Sequence, residues 1–222
     1  MITPPHLHIE RTGSGNGPAV IASHGVGSDT TVWAALGPVV AAHRRFISWD
    51  QPGHGSSGNV DADAYGPSLA YASLSRVTDP EAPVILLGHS LGGYLSCRYT
   101  IDHPERVKAL ILIATGPGFR SPDAMEKWNA DVRRGAEKKG RPETLVGLHE
   151  DSYVMDRLAD IACPALVFVG VNDAAFFGAT DYVERKVPGI ERITVPDAGH
   201  MVPATHGELL GAHINDFLSR KL

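Results

Sequence analysis

Val84-Ile85-Leu86-Leu87-Gly88-His89-Ser90-Leu91-Gly92-Gly93 decides the fold. Four apolar residues run directly into G-x-S-x-G, and a helix-compatible stretch, Leu91–Asp102, follows. The pattern is a strand that turns sharply into a helix. Such a turn holds its serine in a strained backbone conformation with the hydroxyl projecting, and the flanking glycines leave room for the crowded main chain. Chance yields on the order of 0.16 such pentapeptides in a chain of this composition, so the weight lies in the strand before it and the helix after it. Taken alone, the pentapeptide also reads as a glycine-rich turn with an incidental serine.

Outward from this turn, short β-rich runs alternate with longer amphipathic stretches, which is the pattern of a mostly parallel sheet covered by helices. Strands are expected at Leu7–Thr12, Ala19–Ser23, Phe46–Trp49, Val84–Leu87, Ala109–Ile113, Ala165–Val169 and Arg192–Val195. The central ones are continuous apolar runs, as strands buried on both faces should be. Helices are expected over Pro67–Arg76, with Pro67 at a first helical position, and over Leu91–Asp102. Leu210, Ile214, Phe217 and Leu218 fall at i, i+4, i+7 and i+8, giving a C-terminal helix one apolar face, with Pro203 placed near its first turn. Residues 119–161 break the alternation. They contain no strand candidate, are rich in charge, and carry a helix start at Ser121-Pro122 and a stop at Gly140. They read as a small helical lid insertion in a core made of residues 1–118 and 162–222.

The 222 residues suffice for one well-buried core, and 43% hydrophobic with 20% charged residues is ordinary for a globular chain. A net charge of -5 offers no basic surface, which argues against nucleic acid, and no polybasic run points to a membrane surface. Cys97 and Cys163 lie far apart without metal-ligand spacing and read as reduced, packed thiols. The N-terminal MITPPHLHIERTGSG has no basic start and no apolar h-region, and the longest apolar runs are strand-sized. A cytoplasmic location is expected.

Gly88-His89-Ser90-Leu91-Gly92-Gly93 closely resembles the nucleophile elbow of the α/β-hydrolase superfamily, and the resemblance extends over most of the chain. It implies an α/β-hydrolase fold with Ser90 as nucleophile. Ala19–Ser23 ends in His24-Gly25-Val26-Gly27, similar to the family's His-Gly pair at the end of an early strand. The implied oxyanion hole is the pair of backbone N–H groups of Val26 and Leu91, and His24 is a structural residue of the turn. Asp50-Gln51-Pro52-Gly53-His54-Gly55-Ser56-Ser57 resembles the family's D-x-x-G-x-G-x-S turn, which makes Asp50 and His54 structural as well.

Among 11 histidines, His200 follows the Arg192–Val195 strand and precedes the last helix, where the resemblance places the catalytic base. Gly170-Val171-Asn172-Asp173, after the Ala165–Val169 strand, resembles the family's G-x-x-D and implies Asp173 as the residue that orients the histidine. Asp197, three residues before His200, is the rival and reads as a turn residue. Ser90, Asp173 and His200 occur in the chain order Ser…Asp…His of this fold.

The resemblance implies two-step acyl transfer through an acyl-enzyme, with no metal and no organic cofactor. A serine nucleophile argues against the family's haloalkane dehalogenases and epoxide hydrolases, which use aspartate there. Carbon–carbon bond hydrolases usually carry asparagine before the serine, and His89 points instead to carboxylesterases and lactonases. Phe119, Trp128, Met155 and Met201 are substrate-binding candidates, although each equally fits plain packing. The expected partner is a small-molecule ester, uncharged and of small to medium size with a short acyl chain preferred. The expected assembly is a monomer or homodimer. A lactone or carbon–carbon bond hydrolase, or a slow-turnover ligand-binding or sensor protein, is the alternative. Two departures stand out: the first strand candidate leaves little room for the family's outermost N-terminal strand, and the lid is short.

Overall fold

A computed structural model describes residues 3–222. Its strands are β1 (Ile9–Thr12), β2 (Val20–Ser23), β3 (Phe46–Trp49), β4 (Val84–His89), β5 (Val107–Ile113), β6 (Ala165–Gly170) and β7 (Glu191–Val195). They form one sheet in the order β1-β3-β2-β4-β5-β6-β7. Edge strand β1 runs antiparallel to β3, and every other neighbouring pair is parallel. Among the described residues, no strand lies outside β1.

The helices are α1 (Leu36–Ala41), α2 (Pro67–Thr78), α3 (Leu91–Asp102), α4 (Pro122–Lys139), α5 (Tyr153–Arg157), α6 (Phe177–Lys186), α7 (Val202–Thr205) and α8 (Gly207–Lys221). Strand periodicity divides the core in two. On β4, Val84 and Leu86 join the apolar cluster under α2, α3 and α6, while Ile85 and Leu87 face the cluster under α1 and α8. Both faces of β2, β4 and β6 are therefore buried, which is why those segments are unbroken apolar runs in sequence. Burial of each such Leu or Ile contributes about 1.5–3 kcal/mol.

Most element boundaries shift by one or two residues from the sequence reading, and two of the differences bear on the site. β4 extends through His89, so the strand delivers the chain directly to Ser90. Pro203 belongs to the separate one-turn helix α7, and the last helix starts only at Gly207. A close approach explains the break: a Cβ on Gly207 would lie 2.8 Å from the Cβ of Ala35 and from the N of Leu36, so the chain is re-aimed where it meets the start of α1.

Residues 119–161 contain helices and turns and no strand. The Ser121 hydroxyl accepts a hydrogen bond from the Ala124 N–H, and Gly140 ends α4 at φ +60, in the left-handed region that suits glycine. Val146, Val154, Leu158 and Ile161 root this segment in the core on the α2/α3 side. Cys97 and Cys163 are free, and burial pushes their thiols up to about 12 and about 11, so neither is a reactive thiolate. Among the described residues, no helix is long and apolar enough to cross a membrane.

Candidate active site

Ser90 sits between β4 and α3 with φ 53 and ψ -117, a strained conformation for a residue with a side chain. Neighbours hold it there. Its N–H donates to the Ile113 carbonyl at the end of β5 (3.0 Å), and its own carbonyl accepts the Thr115 hydroxyl (2.6 Å). The glycines around it are steric necessities. A Cβ on Gly88 would lie 2.3 Å from the Gly92 carbonyl group, and one on Gly92 would lie 2.0 Å from the Ser23 carbonyl oxygen. The first turn of α3 is thus pressed against the ends of β2 and β4. Gly92→Ala is expected to cost about 3 kcal/mol, the upper end of ordinary overpacking, and to lower Tm by about 2–4 °C for each kcal/mol. Thermal unfolding of the variant checks this, and an unchanged Tm would mean the elbow is looser than described.

His200 lies on the loop between β7 and α7, and its Nδ1–H donates to Oδ2 of Asp173 (2.9 Å) at the end of β6. Asp173 is 3% exposed, and its other oxygen accepts the Phe176 N–H. Main-chain hydrogen bonds lock the two loops together: Val171 N–H donates to the Val195 carbonyl (3.0 Å) and Asn172 N–H to the Ala198 carbonyl (2.8 Å). The Phe176 ring stacks on the His200 imidazole with centroids 4.6 Å apart. On the other side, His89 Nε2–H donates to the His200 carbonyl (2.9 Å). Asp197, the rival acid, is exposed in a turn at φ 56 and makes no such contact.

The loop after β2 is stitched to the Asp50–Ser57 turn. His24 Nδ1–H donates to the Gly25 carbonyl (2.7 Å), and its Nε2 accepts the Gln51 N–H (3.0 Å). His54 Nδ1–H donates to the Pro52 carbonyl, and its Nε2 accepts the Gly27 N–H (3.0 Å). The Asp50 carboxylate accepts the N–H groups of Thr30 (2.7 Å) and Ser56 (2.8 Å). These three side chains have the structural roles expected of them, and they fix Val26 between two anchored neighbours. A Cβ on Gly25 would touch the Ser90 Cβ at 3.0 Å, so the loop lies hard against the serine. Among the described residues, the N–H groups of Val26 and Leu91 have no hydrogen-bond acceptor.

Burial pushes His24, His89 and His149 down to about 4, and in His89 the neighbouring His200 adds to the effect. The unfolded chain binds protons at these imidazoles below about pH 6.5 while the folded chain does not. Their stability contribution is therefore complete above that pH and is lost progressively as pH falls towards 4. The urea midpoint is expected to drop steadily from pH 7 to pH 5, with proton uptake on unfolding approaching one for each of these three histidines. A flat midpoint over that window would contradict their burial as neutral rings.

Ser90, Leu91, Val26 and His200 all border one cavity of about 420 Å³. Its remaining wall contains no charged side chain and combines the aromatic Tyr94, Phe119, Trp128, His149 and Phe176 with small residues such as Gly116, Gly118, Ala175 and Ala179. Of the four substrate-binding candidates, Phe119 and Trp128 line this cavity. Met155 and Met201 are not part of the lining. Met201 is 43% exposed, because the chain turns outward after His200 to start α7. Met155 sits on α5, which packs on α3 away from the cavity. Among the described residues, no three His, Cys, Asp or Glu side chains are placed to hold a metal ion.

Sequence reasoning missed Tyr94, His149 and Phe176. Tyr94 carried a usable signal, since it lies four residues after Ser90 and hence one turn along the same helix face. His149 and Phe176 come from loops whose path no periodicity records.

A family model described as the alpha/beta hydrolase fold matches residues 18–141, more than half of the chain. A pimeloyl-[acyl-carrier protein] methyl ester esterase of Klebsiella pneumoniae is 32% identical over 121 residues, 54% of this chain and 45% of that protein. The chain therefore spans about half the length of that relative. An esterase of the same name from Nitrosomonas europaea is 27% identical, with 87% of this chain and 92% of that protein covered. The crystal structure of the enol-lactonase from Burkholderia xenovorans LB400 superposes with a TM-score of 0.76 at 20% identity, covering 96% of each chain. The sheet order, the strained turn after β4 and the match over residues 18–141 agree: this chain belongs to the α/β-hydrolase fold family.

Proposed function

We propose that the protein is a serine hydrolase that cleaves carboxylic esters of small to medium, uncharged substrates. One observation carries the reading: a strained serine, a histidine held by a buried carboxylate and two unpaired main-chain N–H groups border a single cavity. In the proposed cycle, His200 takes the Ser90 proton as Oγ attacks the ester carbonyl. The N–H groups of Val26 and Leu91 hold the oxyanion, and each such donor is worth about 2.7–4 kcal/mol in related chemistry. Asp173 stabilises the imidazolium, which then protonates the departing alkoxide. Water, deprotonated by His200, attacks the acyl-enzyme, releases the acid and restores Ser90.

Further support comes from the cavity and from the relatives. At about 420 Å³ the cavity lies at the small end of ligand sites, and it offers an ionic substrate no counter-charge. Two of the relatives described above are named as methyl ester esterases. Phe119 and Trp128 bind the acyl group, and residues 119–161 act as the lid that carries them. The test is hydrolysis of p-nitrophenyl acetate, butyrate and octanoate. Turnover that favours the two short chains supports the reading, and a sharp preference for octanoate would overturn the small-substrate part of it. Absence of turnover on all three would overturn simple ester cleavage.

A further inference from the structure

His149 is an odd member of the cavity wall. Its main chain is clamped from both sides by one side chain: His149 N–H donates to Asn129 Oδ1 (2.9 Å), and Asn129 Nδ2–H donates to the His149 carbonyl (2.7 Å). Asn129 is itself buried on α4. The imidazole is boxed edge-on by Tyr94 (centroids 4.5 Å) and Phe119 (5.2 Å), with Trp128 at 6.2 Å, which restricts the orientations open to it. Among the described residues the ring makes no hydrogen bond, and its Nδ1 is buried without a partner. Two other polar groups of the wall are committed: the Thr115 hydroxyl donates to the Ser90 carbonyl, and the Trp128 N–H donates to the Gly147 carbonyl (3.0 Å).

A buried polar group with no partner is costly and calls for an explanation. Burial keeps this ring neutral, so it offers one N–H donor and one acceptor nitrogen. That combination matches a hydroxyl or a carbonyl oxygen. It does not match an anion, for which the wall has no charged partner.

We propose that His149 determines specificity by hydrogen-bonding a neutral oxygen, hydroxyl or carbonyl, borne by the acyl group of the ester. The inference rests on the esterase reading and adds the substrate class: oxygen-substituted acyl chains over plain hydrocarbon ones. A site built around a hydrogen bond rejects the analogue that cannot make it, because its own buried group is then left unpaired.

The experiment compares methyl 3-hydroxybutyrate, methyl 4-oxopentanoate and methyl 5-oxohexanoate with the isosteric 3-methylbutyrate, 4-methylpentanoate and 5-methylhexanoate esters. At one or more positions the wild type is expected to favour the oxygenated ester by ~10-fold or more in kcat/KM, expressed mainly in KM. His149→Phe keeps an aromatic wall and removes both nitrogens, and it should bring that ratio to within about twofold of unity. His149→Gln, which keeps a donor and an acceptor, should retain part of the preference. Preference for the hydrocarbon esters at all three positions, or a preference undiminished in His149→Phe, would overturn the proposal. If the wild type turns over none of the six, ligand-observed NMR of the same pairs with Ser90→Ala and with Ser90→Ala/His149→Phe decides. Selective binding of oxygenated esters that the second change abolishes would support His149 while the esterase reading fails. Equal binding within each pair would overturn the role of His149 as well.

Discussion

Ser90→Ala is expected to lower kcat/KM for p-nitrophenyl butyrate by at least ~10³-fold while leaving the fold intact. The size follows from the geometry. Ser90 is held by the β4–α3 turn at φ 53 on the wall it shares with His200, Val26 and Leu91, whereas the nearby Thr115 hydroxyl is committed to the Ser90 carbonyl. Removing it leaves only binding and the oxyanion donors, which by themselves account for a residual rate over water of ~10³–10⁴ in related enzymes. Stability is expected to hold, because alanine has the same Cβ at this strained position and leaves every main-chain hydrogen bond of the elbow in place. Steady-state kinetics beside a thermal melt makes the check. A variant that keeps a tenth or more of wild-type activity would move the nucleophile elsewhere.

The second large effect is at Asp173. Asp173→Asn preserves the shape of the residue, but an amide nitrogen facing His200 Nδ1 favours the wrong imidazole tautomer. Where this exchange has been made in such triads, kcat falls by ~10⁴. Here the carboxylate is 3% exposed and its second oxygen accepts the Phe176 N–H, so no water can stand in for it. The same exchange at Asp197 is expected to change kcat by less than about twofold, since that side chain is exposed and does not contact His200. Measuring both variants at one pH decides between the two acids. A loss confined to Asp197→Asn would reverse the assignment.

His89 illustrates how a motif position acquires a second meaning in three dimensions. In sequence it is only the residue before the serine. In the folded chain its Nε2–H holds the His200 carbonyl, and its ring lies 4.9 Å from the His200 ring, so the strand that presents Ser90 also steadies the loop that presents His200. His54 is similar: it belongs to a turn after β3, yet it anchors the Gly27 N–H beside Val26.

The sheet and the turn after β4 are readable from the chain alone. Continuous apolar runs at β2, β4 and β6, the switch to helical periodicity after Ser90, and the glycines at 88 and 92 are patterns visible along the chain, although the reason for Gly92, its approach to the Ser23 carbonyl, lies in the tertiary packing. The chain order of Ser90, Asp173 and His200 was also legible, because in a parallel sheet each of these residues follows the end of a strand and is carried to the same edge. Tertiary structure alone decided what encloses the space above that edge. Met155 and Met201 were as plausible as Phe119 and Trp128 on hydrophobicity, but side-chain direction after His200 and on α5 sends both methionines away. Tyr94, His149 and Phe176 come together from a helix, the 119–161 segment and the loop after β6. Their meeting depends on long-range packing and on the Asn129 clamp, and no spacing along the chain encodes either of those.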